Sequence, residues 1–131
     1  LNEAAEHLAV IKVYPGMVVP LVERIVCREN AVDNVILELY SSGTGDMRNS
    51  DYSLKNLLIN GKKKGINFFC TSQQERKIDF SQYETSASVW REGAVPMNNL
   101  TTESVVTLYF ASYLLADSRK ELLELMENEI I

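Results

Sequence analysis

NVILELYSSGTGD, residues 34–46, runs an apolar strand pattern directly into a knot of hydroxyls and glycines that ends in an acid. The run Val35-Ile36-Leu37 through Leu39 is rich in the residues that fill buried strands, and turn-forming residues bound it. Two readings of the loop compete. It can simply turn the chain, since Ser, Gly and Asp are turn residues. Alternatively, it holds a small polar ligand: Gly43 and Gly45 allow φ > 0 and close approach to backbone N–H groups, Ser42 and Thr44 offer hydroxyls, and Asp46 can hold an ammonium. It is not a phosphate loop, because the Walker spacing and its Lys are missing and GTGD does not complete GxGxxG.

Outward from this segment, short apolar runs alternate with helical patterns. LAVIKVY (8–14) reads as a first strand stopped by Pro15-Gly16. VPLVERIVCREN (19–30) has Leu21, Val22, Ile25 and Val26 at helical spacing, with Pro20 suited to a first turn. A helix follows over 53–64, with Ser53 as N-cap and Leu54, Leu57 and Leu58 on one face. GKKKG (61–65) reads as its C-terminus, lysines offsetting the negative end of the dipole and Gly65 capping it. INFFCTS (66–72) is the third strand. YETSASVWREG reads as a short helix ending at Gly93, and AVPMNN as a short edge strand because Pro96 denies a ladder hydrogen bond. TTESVVTLYFASYLLA is apolar on most sides, as in a well-buried helix. SRKELLELMENEII opens with Ser118 and Glu121 at capping-box spacing and carries Leu122, Leu123, Met126 and Ile130 on one face. Strands alternating with helices imply parallel pairing with both sheet faces covered. The expected fold is a three-layer α/β/α domain with a small four-stranded parallel sheet, spanning residues 1–131. Ligands in such sheets gather at the carboxyl ends of the strands, where the loops at 14–16, 41–46, 71–74 and 98–99 would meet.

With 131 residues the chain suits one domain, and such a domain buries roughly 65–70% of its unfolded surface, enough to fold without metals or disulfides. The net charge of −5 and pI near 4.9 argue against a nucleic-acid or anionic-membrane surface. Cys27 and Cys70 sit in unlike contexts and do not make a disulfide framework, so a reducing cytoplasm is the expected home. No apolar run approaches the ~18 residues that span a bilayer. The chain starts at Leu1, not Met, and is expected to be a piece of something longer.

Other candidates carry less. The lone His7 cannot build a metal site and has no nucleophile pattern beside it, so it reads as a solvated terminal residue. No metal or organic cofactor is implied. Trp90 fits a helix packed on a sheet. Asn99-Leu100-Thr101 matches a glycosylation sequon that is common by chance. Glu84 either favours a helix N-terminus or presents a carboxylate at the same sheet edge as the hydroxyl loop.

Taken together and in order, VIKVYPGM (10–17), LELYSSGTGD (37–46), GINFFCTSQ (65–73), QYETSASVWREGAVPMNNLTTE (82–103) and SVVTLYFASYLL (104–115) resemble the C-terminal domain of the L-asparaginase family. The resemblance covers nearly the whole chain and rests on order and spacing, each motif being short. It implies a larger N-terminal domain carrying a nucleophilic threonine in a TGGTI-like motif and a second motif with Thr and Asp. Neither motif is found here, so no catalytic residue is expected in this chain. It also implies a homodimer or tetramer in which a loop of this domain completes a neighbour's site. By resemblance, Ser42, Thr44, Asp46 and Glu84 are the expected substrate-binding residues, and L-asparagine is the expected substrate, hydrolysed to L-aspartate and ammonia. Many members have Gly-x-Gly-Asn in the loop; here Thr44 falls roughly where an Asn is common, and the stretch 47–52 is longer than in many members. Those departures keep open a non-catalytic asparaginase-like module that binds an effector or partner. Glutamine hydrolysis, an amidotransferase subunit and an unrelated receiver-like or flavodoxin-like domain are further alternatives.

Overall fold

The computed structural model describes residues 2–14, 17–28, 32–39, 54–72, 93–97 and 100–128. In chain order these form α1 (Asn2–Glu6), β1 (Leu8–Lys12), α2 (Val19–Val26), β2 (Asn34–Leu39), α3 (Leu54–Lys63), β3 (Asn67–Ser72), β4 (Val95–Pro96), α4 (Thr102–Leu115) and α5 (Arg119–Glu127). The four strands form one sheet in the order β1-β2-β3-β4, and every pair is parallel. The expected fold class is the observed one.

The sequential strand order dictates the layers. Crossovers of one hand that all step the same way place α2 and α3 on the same face of the sheet. The side chains agree. Val35, Leu37, Leu39, Phe68 and Cys70 pack with Val19, Val26, Leu54, Leu57 and Leu58 on that face. Ile36 and Phe69 face the other way, onto Val105 and Tyr109 of α4, Leu122 and Met126 of α5, and Ala4 of α1. β2 is therefore covered on both faces and paired on both edges, which explains its apolar run.

α3 is the most fully specified helix. Leu54, Leu57 and Leu58 are buried at helical spacing. Its end is a Schellman motif: Gly65, at φ 80°, donates to the Lys62 carbonyl, and the Ile66 amide reaches back to Gly61. Gly61 lies inside the helix, where its missing side chain makes room for the Phe68 ring of β3. α5 also starts as its sequence implies: the Ser118 hydroxyl accepts from the Glu121 amide at 3.1 Å, and the Glu121 carboxylate accepts from Asp117 instead of the N-cap amide.

Several expectations need correcting. α2 buries Val19 and Val26 and half-buries Val22, while Leu21 and Ile25 stand 55% and 66% exposed. The apolar spacing marked Leu21, Val22, Ile25 and Val26 together, but only the stripe of Val19, Val22 and Val26 meets the sheet. α4 is apolar nearly all round, yet it buries only Val105, Tyr109 and Ser112 fully; Leu114 is 63% exposed. One side of α4 meets the sheet, so all-round apolarity did not mean all-round burial. α1 was not expected, because five residues are too short to show a period. His7 is not merely solvated: its Nδ1 lies 3.0 Å from an Asp33 carboxylate oxygen, and the same carboxylate pairs with Arg119 of α5. The His7 carbonyl also accepts from the amides of Asp33 and Asn34. This cluster fastens the amino edge of the sheet to the start of α5. Cys27 and Cys70 are both free and buried. Among the described residues, no helix is long and apolar enough to cross a membrane.

Replacing Gly61 with Ala should destabilise the fold by about 1–3 kcal/mol despite the better helix propensity, because the new methyl collides with a ring that has nowhere to go. A lowered denaturant midpoint checks it. A second expectation concerns alkaline pH. Burial pushes the Cys70 thiol up from 9.0 to about 12. Burial likewise pushes the Tyr109 phenol up from 10.0 to about 12, with a hydrogen bond to Asn34 pulling weakly the other way. The folded chain keeps these protons where the unfolded chain releases them. Their contribution is therefore intact below about pH 9 and is lost as pH rises toward 12. The urea midpoint should fall across that window, and Cys70→Ala should make the fall shallower even though it lowers the midpoint at neutral pH.

Candidate functional site

The carboxyl edge of the sheet carries a polar cluster built by strand alternation. After Ile36 and Phe69, the next side chains on the α4 face are Glu38 of β2 and Thr71 of β3, which are register partners. Lys12 of β1 is Glu38's register partner on the other side. α4 begins over them. Its N-cap Thr101 accepts from the Ser104 amide at 3.1 Å, and this cap fixes where the first helical residue, Thr102, stands.

The Thr102 hydroxyl donates to Glu38 Oε2 at 3.0 Å and lies 2.8 Å from the Thr71 hydroxyl. A hydroxyl has one proton to give. Since that of Thr102 goes to the carboxylate, Thr71 donates to Thr102, and the chain of bonds has one direction: Thr71 to Thr102 to Glu38. A charge-assisted bond at one end polarises the other. Thr71 is fully buried and Glu38 half-buried. Such an arrangement fixes a carboxylate at the rim, beside the ends of β2 and β3. Among the described residues it contains no exposed nucleophile paired with a base.

The four residues expected to bind substrate, Ser42, Thr44, Asp46 and Glu84, lie outside the described residues, as does the loop 41–46 itself. What the structure places is their point of departure. β2 ends at Leu39 and β3 at Ser72, which are register partners, so the segments holding all four residues leave from adjacent strand ends beside the Glu38 cluster. Sequence reading had put Thr71 at this edge but passed over Glu38 and Thr102. Glu38 was visible in principle: a carboxylate inside the otherwise apolar run 35–39 is a costly choice that needs a partner. Thr102, 64 residues away, had no local signal.

Among the described residues no three His, Cys, Asp or Glu side chains gather as metal ligands.

Solved structures that share this architecture include two L-asparaginases. The thermostable L-asparaginase from Thermococcus kodakarensis superposes with a TM-score of 0.76 at 24% identity, over 92% of this chain and 35% of that one. L-asparaginase I from Vibrio cholerae O1 biovar eltor str. N16961 gives a TM-score of 0.73 at 19% identity, over 93% of this chain and 36% of that one. The chain thus spans about a third of the length of either enzyme, and the likeness is one of fold. No family model matches the chain, and no curated protein does.

Replacing Thr102 with Val should cost about 1–3 kcal/mol, because the Thr71 hydroxyl is left buried without its acceptor. Converting both threonines to Val should cost less than the two single changes added together, and denaturant titration of the three variants reads the difference.

Proposed function

We propose that this chain is the C-terminal domain of an L-asparaginase-type amidohydrolase, and that it grips an amino-acid amide while the attacking threonine comes from another domain. The observation that carries the reading is the fold shared over 92% of the chain with an L-asparaginase, together with the ordered run of motifs from Val10 to Leu115. In this reading Ser42, Thr44 and Asp46 meet the substrate's ammonium or carboxylate, and Glu84 adds a second carboxylate from the neighbouring strand end. Their shared origin at the rim of β2 and β3 supports the reading. The Glu38–Thr102–Thr71 chain keeps that rim rigid, which favours orientation of the substrate. Partners in this reading are L-asparagine, an N-terminal domain and a second subunit.

The test is a chimera in which this chain replaces the matched third of the Thermococcus kodakarensis enzyme, assayed for ammonia release. The reading expects turnover of L-asparagine by the chimera and none by the 131-residue chain alone. Asp46→Ala or Glu84→Ala in the chimera should lower kcat/KM by about tenfold or more, mostly through KM. A chimera that folds and assembles but releases no ammonia from any amide, yet still binds L-asparagine by calorimetry, favours a non-catalytic effector-binding module. One that neither binds nor hydrolyses overturns the proposal.

A further inference from the structure

The opposite end of the sheet holds a second feature. α2 ends at Val26 before β2 begins, and α3 ends at Lys63 before β3 begins, so both helix C-termini lie at the amino edge. Between them is a cleft of about 630 Å³ lined by Arg24, Arg28, Lys63 and Lys64. Glu23 is the one carboxylate in its lining, and the Asn60 amide donates to it.

Cations at helix C-termini ordinarily offset the dipole, and Lys64 does so, donating to the Cys27 carbonyl at the end of α2 at 2.5 Å. That need does not account for the rest. Each helix C-terminus carries about half a negative charge. Among the described residues, those two halves and Glu23 cancel about two of the four cations, which leaves an excess of about two positive charges. Arg24, Arg28 and Lys63 make no hydrogen bond or ion pair among the described residues. Concentrating unspent cations in one cleft is unexpected in a chain of net charge −5. The chain's overall field repels anions at long range, so a ligand here must be held by close contacts. Guanidinium forks hold phosphate oxygens in pairs. The cleft's volume falls within the range of small-molecule sites, ~300–1,000 Å³.

We infer that the α2–α3 cleft binds a small phosphorylated molecule, its phosphate dianion held by Arg24, Arg28 and Lys63. The site is separate from the rim around Glu38 and does not depend on the asparaginase-type reading.

The test uses the whole chain and inorganic pyrophosphate as probe. Calorimetry at low salt should show a single site, weakened by added sodium chloride. Amide shifts in a two-dimensional NMR spectrum should concentrate on residues 20–28 and 60–64. Arg24→Gln with Arg28→Gln should weaken binding at least about tenfold, by loss of charge-assisted bonds. Lys120→Gln, on the opposite sheet face, should leave it unchanged. All three replaced residues are exposed, and an unchanged circular dichroism spectrum verifies the fold. No binding, equal weakening by Lys120→Gln, or shifts centred on residues 101–104 overturns the inference. So does binding of a Glu-rich peptide with the same arginine dependence but no pyrophosphate binding, since that assigns the cleft to a protein partner.

Discussion

β2 has no free side. Parallel neighbours hold both of its edges, and helices cover both of its faces. Val35, Ile36, Leu37 and Leu39 are wholly excluded from water, and each such side chain contributes about 1.5–3 kcal/mol relative to exposure. Every other element takes its place from this strand. The alternation of its side chains decides which residues look toward α2 and α3 and which toward α4 and α5. Shifting its register by one residue would turn Glu38 into the aliphatic layer and Leu37 toward the polar rim.

This dependence explains what was legible beforehand. β2, β3 and α3 announce themselves through local patterns: unbroken β-branched and aromatic runs, three leucines at helical spacing, and a terminal glycine. The capping box at Ser118 was equally local. The features that escaped reading are those created by meetings between distant segments. His7 acquires its partner from residue 33 and Arg119 joins from much farther along the chain. Thr102 finds Glu38 across 64 positions. α2 and α4 show the converse error, in which apolar spacing recorded hydrophobicity but not which stripe the sheet would claim. The candidate loop 41–46 and Glu84 were singled out by composition and resemblance, and only their anchor points are fixed by the described residues.

The two ends of the sheet have unlike chemistry. At the carboxyl edge, hydroxyls feed one carboxylate through a directed chain of hydrogen bonds, beneath the departure of the Gly-rich loop. At the amino edge of the α2–α3 face, helix C-termini converge and, among the described residues, cations exceed what those termini need. On the other face the same edge is closed by the His7–Asp33–Arg119 cluster. A rigid sheet about six residues deep at its centre separates the two ends.

The Tyr109 hydroxyl donates to the Ala4 carbonyl at 2.7 Å, joining residues 105 positions apart. The layer of α2 and α3 forms from consecutive strand–helix–strand steps, each needing only the next stretch of chain. The opposite layer has no such order. α1 and β1 precede the other strands, yet α4, which packs on α1, follows all four strands, and closing so long a loop carries an entropic cost that short steps avoid. The α2–α3 side of the sheet is therefore built from neighbouring segments, whereas the other side depends on distant ones. Ile36 and Phe69 lack most of their cover until α4 and α5 pack against them. In that interval the half-built sheet is most exposed to association with other apolar surfaces.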